Sequence, residues 1–182
     1  PSHNLRAVMA AIEFLGAYGD FPHKNLVLST VGDQRVFDAL ATSVVKPALA
    51  VSLHSTIDEK RRQLLPKAGR LTVDSLVEQA ETYARATGYP TQYQWTLIDG
   101  LNDGNDELER IKNYLSGKYA MMNFIPVNVV EGSPYQRPPI ERCAEMARFL
   151  HQNHIVAKLR HSAAQEVQGG CGQLRARKLQ EK

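Results

Sequence analysis

The sequence predicts an α/β fold with a mainly parallel sheet and flanking helices. Two observations support this prediction: segments with helical periodicity alternate with short β-rich runs along most of the chain, and one such run, 47–53, is apolar apart from Ser52. Repeated strand and helix units are typical of parallel α/β folds, and a fully apolar strand indicates a covered sheet. Because the chain opens on a helix, we expect the C-terminal part of a (β/α) barrel whose first strands lie upstream.

The elements of the first part follow from these patterns in order. Apolar residues recur at helical spacing from Leu5 to Leu15, and the β-rich run from Leu26 to Thr30 predicts a strand. The turn signal Gly32-Asp33 ends that strand, and a short helix is predicted from Val36 to Leu40. The apolar run from Pro47 to Leu53 predicts the second strand.

The same alternation continues through the second part of the chain. We predict helices over 58–65, 73–87, 106–115 and 140–151, and strands over 92–98, 120–126 and 155–159. Asp99-Gly100 and Asn102-Asp103-Gly104 are turn signals between two of these elements. No low-complexity segment interrupts the series, so we predict one domain over 1–165 and a separate terminal segment over 166–182.

Composition indicates a single soluble globular domain. The chain has 182 residues, of which 43% are hydrophobic and 23% are charged. No apolar run of about 18 residues occurs, and the first residues lack the pattern of a secretory signal. We therefore expect a cytoplasmic protein that contacts no membrane, and we expect it to be a monomer.

The two cysteines have different surroundings. They are too few for a disulfide framework and too few for a 4Fe-4S cluster, which takes three or four thiolate ligands. Cys143 lies among helix-forming residues, and we expect it to pack in the core. Cys171 lies between Gly170 and Gly172, where the backbone can approach a ligand closely. Cys171 is therefore the candidate functional thiol.

The net charge of +3 is unevenly distributed. From His154 onward there are six Lys or Arg residues and two acidic residues, which gives +4 there and −1 before it. A basic terminal segment is suited to a phosphate backbone, so RNA is a candidate partner. A solvated tail explains the same charge, and charge alone favours that explanation.

Polar residues follow most of the predicted strands. They are Ser29, Thr30, Ser52, His54, Ser55, Asp99, Asn123 and Asn128. In parallel α/β folds ligands bind beyond the carboxyl ends of the strands, so several small hydrogen-bonding residues there are typical of a polar cofactor site. Each residue also has a structural explanation when taken singly: the serines as helix N-caps, His54 as a loop histidine, and the asparagines as turn residues.

Five motifs occur in the same order as in a known enzyme family. They are Leu28-Ser29-Thr30-Val31-Gly32, Val51-Ser52-Leu53-His54, Asn123-Phe124-Ile125-Pro126-Val127-Asn128, Gly132-Ser133-Pro134-Tyr135 and Cys171-Gly172-Gln173-Leu174. On these residues the chain resembles the RlmN/Cfr family of radical-SAM RNA (adenine) methyltransferases. The resemblance implies the C-terminal part of a radical-SAM barrel over 1–165 and a methyl-carrier cysteine loop with a basic tail over 166–182.

The resemblance also implies two cofactors. Five residues match the family's contacts to S-adenosyl-L-methionine: Ser29, Ser52, Leu53, His54 and Asn128. Cys171 matches the catalytic cysteine that becomes methylated. The family's CxxxCxxC motif, which binds a 4Fe-4S cluster, does not occur in this sequence, so we expect the cluster ligands outside this chain. The family chemistry further implies an electron donor such as flavodoxin or ferredoxin, and we expect this chain alone to be inactive.

The reaction implied by the resemblance is methylation of an adenosine ring carbon through a methylated Cys171. Carbon 2 of an adenosine in 23S rRNA, and in tRNA as a further substrate, is the first hypothesis, with carbon 8 as the family's other option. Two alternatives stay open at this point: a paralogue with the same chemistry on another substrate, and a non-catalytic RNA-binding module that keeps the fold.

Overall fold

The structure, a computed structural model, describes residues 3–129 and 132–160. Five parallel strands form one sheet in the order β1-β2-β3-β4-β5, so each strand lies beside its predecessor in the chain. The strands are β1 Val27–Thr30, β2 Ala48–Ser52, β3 Thr91–Leu97, β4 Ala120–Pro126 and β5 Val156–Leu159. The helices are α1 Leu5–Ala17, α2 Gln34–Thr42, α3 Asp58–Leu64, α4 Val73–Thr87, α5 Asn105–Leu115 and α6 Ile140–Gln152.

The predicted α/β fold with a parallel sheet is confirmed, and each predicted helix and strand is found close to its expected bounds. A short 3-10 helix over His23–Asn25 was not predicted from the sequence. The predicted division of the chain at residue 165 falls outside the described residues and stays a prediction. None of the helices in the described ranges has the length and apolar character that crossing a membrane requires.

One face of the sheet is apolar and packs against the helices. Alternate residues of the strands point to this face because successive side chains of a strand alternate between its two sides. Helix α4 packs against β2 and β3, and α6 packs against β4 and β5. The buried residues that the strands contribute are Leu28, Leu49, Val51, Tyr93, Trp95, Leu97, Met122, Phe124 and Ala157. This face forms the main hydrophobic core.

We call the other face the open face: it has polar side chains together with Met121, Ile125 and Val156, and it is partly exposed within the described residues. Gln92, Gln94 and Thr96 of β3 are partly exposed and alternate with buried residues. The expectation of a sheet covered on both faces, drawn from the apolar run 47–53, stays a prediction for this face. The small side chains of Ala48 and Ala50 are shielded on this face, and β2 is therefore apolar up to its last residue, Ser52.

Local signals fix the ends of several helices. The Asp33 carboxylate accepts a hydrogen bond from the Arg35 main-chain nitrogen at the start of α2, and the Thr72 hydroxyl accepts one from Ser75 at the start of α4. Gly32, which follows β1, has a φ of 83°, and a Cβ there would lie 2.7 Å from Cδ1 of Leu76. Only glycine fits both the conformation and the close approach of α4.

Cys143 packs in the core, as its sequence context predicts. Its side chain on α6 is fully buried. Burial raises the pKa of the Cys143 thiol, with the Asp103 carboxylate as a further cause. A buried thiol with a raised pKa is a poor nucleophile, so Cys143 has a packing role.

Candidate functional site

Four polar residues lie in register across the open face, with Ser52 and Lys158 near the carboxyl ends of their strands and Gln94 and Asn123 in the middle of theirs. Ser52 pairs with Gln94, Gln94 with Asn123, and Asn123 with Lys158. We call these four residues the polar row. Neighbouring strands are about 4.8 Å apart, so the four side chains lie side by side on one face. Parallel α/β folds bind ligands at this end of the sheet.

Ser29 lies on the same face as the polar row. It pairs with Ala50, which is two residues before Ser52 and therefore on the same side of β2. Ser29 is exposed and Ser52 is half-buried. Neither serine serves as a helix N-cap, because the caps of α2 and α3 are Asp33 and Ile57.

His54 follows β2 in an unusual backbone conformation. Its φ is 58°, in the left-handed region that residues other than glycine rarely adopt. The Thr96 main-chain nitrogen donates a hydrogen bond to His54 Nδ1 over 2.8 Å. Burial lowers the pKa of His54 to about 4, and the nearby Arg61 guanidinium acts in the same direction. The ring is therefore neutral at physiological pH.

Arg61 of α3 joins the carboxyl ends of two strands. It is only 2% exposed, and its Nη2 donates to the main-chain oxygen of Val31 at 2.5 Å and to that of Ser52 at 3.1 Å. Burial lowers the pKa of Arg61, while the Asp58 carboxylate acts in the opposite direction. The guanidinium thus fixes the main chain two residues after Ser29 and at Ser52.

Glu107 of α5 supports the loop that follows His54. Its fully buried carboxylate accepts hydrogen bonds from the Ser55 hydroxyl at 2.5 Å and from the Thr56 main-chain nitrogen at 2.9 Å, and the Thr56 hydroxyl donates to it as well. Lys60 Nζ lies 3.3 Å from the same carboxylate. Since the charge is paired and hydrogen-bonded, burial of Glu107 is compatible with a stable loop.

Asn128 follows β4 at the same end of the sheet. Its Oδ1 accepts a hydrogen bond from Arg137 Nη2 at 3.3 Å, and Arg137 Nε donates to the Val127 main-chain oxygen at 3.1 Å. The Asp99 main-chain nitrogen donates to the Gln136 oxygen over 2.9 Å, so this segment also crosses the end of β3. Asn128 is half-buried and held in place by these contacts.

Leu53 and Cys171 differ from the other predicted site residues. The Leu53 side chain is buried in the core on the helix-covered face, so only its main chain is available to a ligand on the open face. Cys171 lies outside the described residues, and its role as methyl carrier stays a prediction.

Sequence reasoning missed several residues that shape this site: Arg61, Gln94, Thr96, Asn102, Glu107 and Lys158. A signal was present for β3, because Gln92, Gln94 and Thr96 alternate with Tyr93, Trp95 and Leu97. Such alternation predicts a strand with one polar face. No comparable local signal distinguishes Arg61 or Glu107 from the other charged residues of their helices.

The described residues do not fit a metal cluster. Within residues 3–129 and 132–160, no three His, Cys, Asp or Glu side chains form a group that could hold a metal ion. The whole sequence has two cysteines, and Cys143 is buried in the core. A 4Fe-4S cluster needs three or four thiolates, so this chain cannot hold one with its own residues.

The chain is similar in sequence to bacterial proteins named as probable RNA methyltransferases. It is 60% identical over 179 residues to one from Methylibium petroleiphilum, and the match covers 98% of this chain and 51% of that protein. It is 56% identical over 177 residues to one from Bordetella avium, covering 97% of this chain and 50% of that protein. The chain thus spans about half the length of the curated relatives it matches. No protein-family model matches the chain.

Solved structures show where this fold occurs. A radical SAM methyltransferase from Sphaerobacter thermophilus matches with a TM-score of 0.86 and 31% identity, over 97% of this chain and 52% of that chain. A domain of a pyruvate-formate lyase-activating enzyme from Bacteroides vulgatus matches with a TM-score of 0.65 and 14% identity, over 86% of this chain and 91% of that one, and shows the fold alone.

In fold, the chain is similar to about half of the radical SAM methyltransferase from Sphaerobacter thermophilus. By sequence, it is homologous over almost its whole length to proteins named as probable RNA methyltransferases. The open polar face and the residues at its carboxyl edge are therefore the candidate functional site.

Proposed function

We propose that the whole protein is a radical-SAM RNA methyltransferase of the RlmN/Cfr type and that this chain supplies part of its cofactor site and its methyl-carrying Cys171. The observation that most supports the proposal is the polar row with Ser29 and His54 beside it, on the face whose carboxyl edge is where parallel α/β folds bind ligands. The relatives named as probable RNA methyltransferases support the same reaction class.

S-adenosyl-L-methionine is the proposed cofactor of the open face. The hydroxyls of Ser29 and Ser52, the main chain of Leu53, the ring of His54 and the amide of Asn128 would hold it by hydrogen bonds. These groups fit a cofactor that has a carboxylate, a ribose and an adenine, since each of those parts needs a polar partner. When bound, the cofactor supplies an activated methyl group.

Cys171 is proposed to take that methyl group as a thiolate nucleophile. The substrate is proposed to be carbon 2 of an adenosine in 23S rRNA, with tRNA as a further substrate and carbon 8 as the less favoured position. The ligands of the 4Fe-4S cluster are proposed to lie in a part of the whole protein outside this chain, and flavodoxin or ferredoxin is the proposed electron donor.

Replacement of Cys171 tests the proposed reaction. In the whole protein, Cys171→Ala should abolish methyl transfer to RNA, because no thiol is left to accept the methyl group. Cys143→Ala is the matched control and should reduce stability without abolishing transfer, since Cys143 is buried in the core. Mass spectrometry of the purified protein should find an added mass of about 14 Da, one CH₂ group, on the Cys171 peptide. Methyl transfer that survives in Cys171→Ala would refute the proposal.

Replacement of Asn128 tests the proposed cofactor site. In the whole protein, Asn128→Ala should weaken binding of S-adenosylmethionine by roughly 1–3 kcal/mol if a buried polar contact is lost. Equilibrium dialysis with radiolabelled cofactor gives the dissociation constants. Gln136→Ala is a suitable control, because the Gln136 contact to Asp99 uses its main chain and survives the substitution. An unchanged dissociation constant for Asn128→Ala would remove this residue from the site.

A further inference from the structure

Asn102 is fully buried between the loop after β2 and the end of β3. Its Nδ2 donates hydrogen bonds to the main-chain oxygens of His54 and Thr96, each at 2.8 Å, and its Oδ1 accepts one from the Ile98 nitrogen at 2.8 Å. An asparagine amide has two N–H groups, and both are used here. One side chain therefore ties the residue that follows β2 to the end of β3.

The two residues whose carbonyls Asn102 holds also contact each other. The Thr96 nitrogen donates to His54 Nδ1, so Nδ1 is an acceptor and the proton of the neutral ring lies on Nε2. This hydrogen bond requires both main chains to keep their positions. Asn102 holds the main chains of both His54 and Thr96 through their carbonyl oxygens. This placement favours the tautomer of His54 that has its proton on Nε2.

The backbone of His54 depends on such support. At a φ of 58° the residue is in a conformation that L-amino acids hold only when surrounding contacts determine it. The hydrogen bond from Asn102 to the His54 oxygen orients the peptide group directly after this conformation. Loss of the amide would let His54 relax and would move its ring.

We infer that Asn102 is a positioning residue that presents His54 as a neutral Nε2–H donor to the cofactor bound at this edge of the sheet, an inference that rests on the proposed function. S-adenosylmethionine offers acceptors for such a donor in its carboxylate, ribose and adenine, while its sulfonium is cationic. A charged imidazolium beside the Arg61 guanidinium would repel that sulfonium, whereas a neutral donor does not. The low pKa of His54 supports the neutral form.

A substitution at Glu107 is the matched control, because it shows the effect of losing structural support of this loop alone. Glu107 is as deeply buried as Asn102 and supports the same loop, but its hydrogen bonds within the described residues go to Ser55 and Thr56. Glu107→Gln should therefore destabilise the loop without changing the tautomer of His54. Asn102→Ala should change both.

Long-range ¹H–¹⁵N NMR of the ¹⁵N-labelled chain reports the tautomer of each histidine, and His54→Gln identifies the His54 signals by their loss. We expect the Nε2–H tautomer in the unsubstituted chain and in Glu107→Gln, and a mixture of tautomers in Asn102→Ala. Equilibrium dialysis with the whole protein should find S-adenosylmethionine binding about 10- to 100-fold weaker in Asn102→Ala and less affected in Glu107→Gln. Circular dichroism checks that each variant is folded.

The outcomes separate this inference from the proposed function. An unchanged His54 tautomer in Asn102→Ala would overturn the positioning role, and a changed tautomer with unchanged affinity would overturn donation to the cofactor. A whole protein with the expected tautomers that binds no S-adenosylmethionine would instead contradict the proposed function. If Asn102→Ala does not fold, Asn102→Asp replaces it in both measurements. Aspartate keeps the size of the side chain and the acceptor for Ile98 but loses both N–H donors, so the same tautomer and affinity changes are expected.

Discussion

Strand β3 shows the two faces of the sheet residue by residue. Tyr93, Trp95 and Leu97 are at most 1% exposed and pack under the helices, whereas the intervening residues Gln94 and Thr96 are partly exposed on the open face. The helix-covered face buries apolar surface and provides most of the stability. The open face keeps Gln94 and Thr96 partly accessible in the described structure. The main core and the candidate site therefore lie on opposite sides of the same strands.

Replacement of neighbouring β3 residues is the strongest test of this difference. Trp95→Ala should lower the free energy of unfolding by about 3–5 kcal/mol, because it leaves a large cavity in the core. It also removes the Nε1 hydrogen bond to the Asn102 oxygen at 3.2 Å. Gln94→Ala, one residue earlier, should change the free energy by less than about 0.5 kcal/mol. Urea denaturation followed by circular dichroism measures both, and similar losses would mean that the open face is covered.

Acid provides the second test, through His54. Its folded-state pKa of about 4 lies below the ordinary value of 6.5, so the unfolded chain binds more protons between these values. The associated stability is fully present above about pH 6.5 and is lost as the pH falls toward 4. Because His54 is only partly buried, we expect a loss of about 1–3 kcal/mol.

The comparison with His54→Gln isolates this contribution. Unfolding free energies at pH 7 and pH 4.5 should differ less in His54→Gln than in the unsubstituted chain, because glutamine does not titrate. All other histidines contribute equally to both proteins. An identical pH dependence would show that His54 is not in the desolvated position beside Arg61.

The helix-covered face was predictable because its signals are local. Apolar residues recur with the period of each element, and α4 has an N-cap at Thr72 and a left-handed C-cap at Gly88 that follow from residue type. Ser29, Ser52, His54 and Asn128 could likewise be selected from the sequence, because each lies at the predicted end of a strand.

The support of the site was not predictable, because its contacts join distant parts of the chain. Arg61 reaches Val31 across 30 residues, Asn102 reaches His54 across 48, and Glu107 reaches Ser55 across 52. In the sequence, Arg61 lies in a run of charged residues that has the pattern of a solvated helix face. Only the packing of α3 across the ends of β1 and β2 turns Arg61 inward.

The smallest effect on stability is expected at the last position of the polar row. Lys158 is exposed on the open face, so Lys158→Ala should change the free energy of unfolding by less than about 0.5 kcal/mol. If RNA lies along this face, the same substitution removes one phosphate contact. The slope of log K for RNA binding against log salt should then fall by about 0.7–0.9.

Two further variants show whether the contact belongs to the open face or to the general positive charge. Neutralising Arg175, Arg177 and Lys178 together should reduce the slope by up to about three such contacts, if the basic terminal segment also binds RNA. Lys24→Ala is the matched control, since Lys24 is exposed but precedes β1 and lies at the opposite end of the strands. Equal salt slopes for Lys24→Ala and Lys158→Ala would assign RNA binding to net charge. A specific phosphate contact would instead lower the slope only for the lysine that makes the contact. A reduced slope in Lys158→Ala alone would place the RNA backbone on the face that holds Ser52, Gln94 and Asn123.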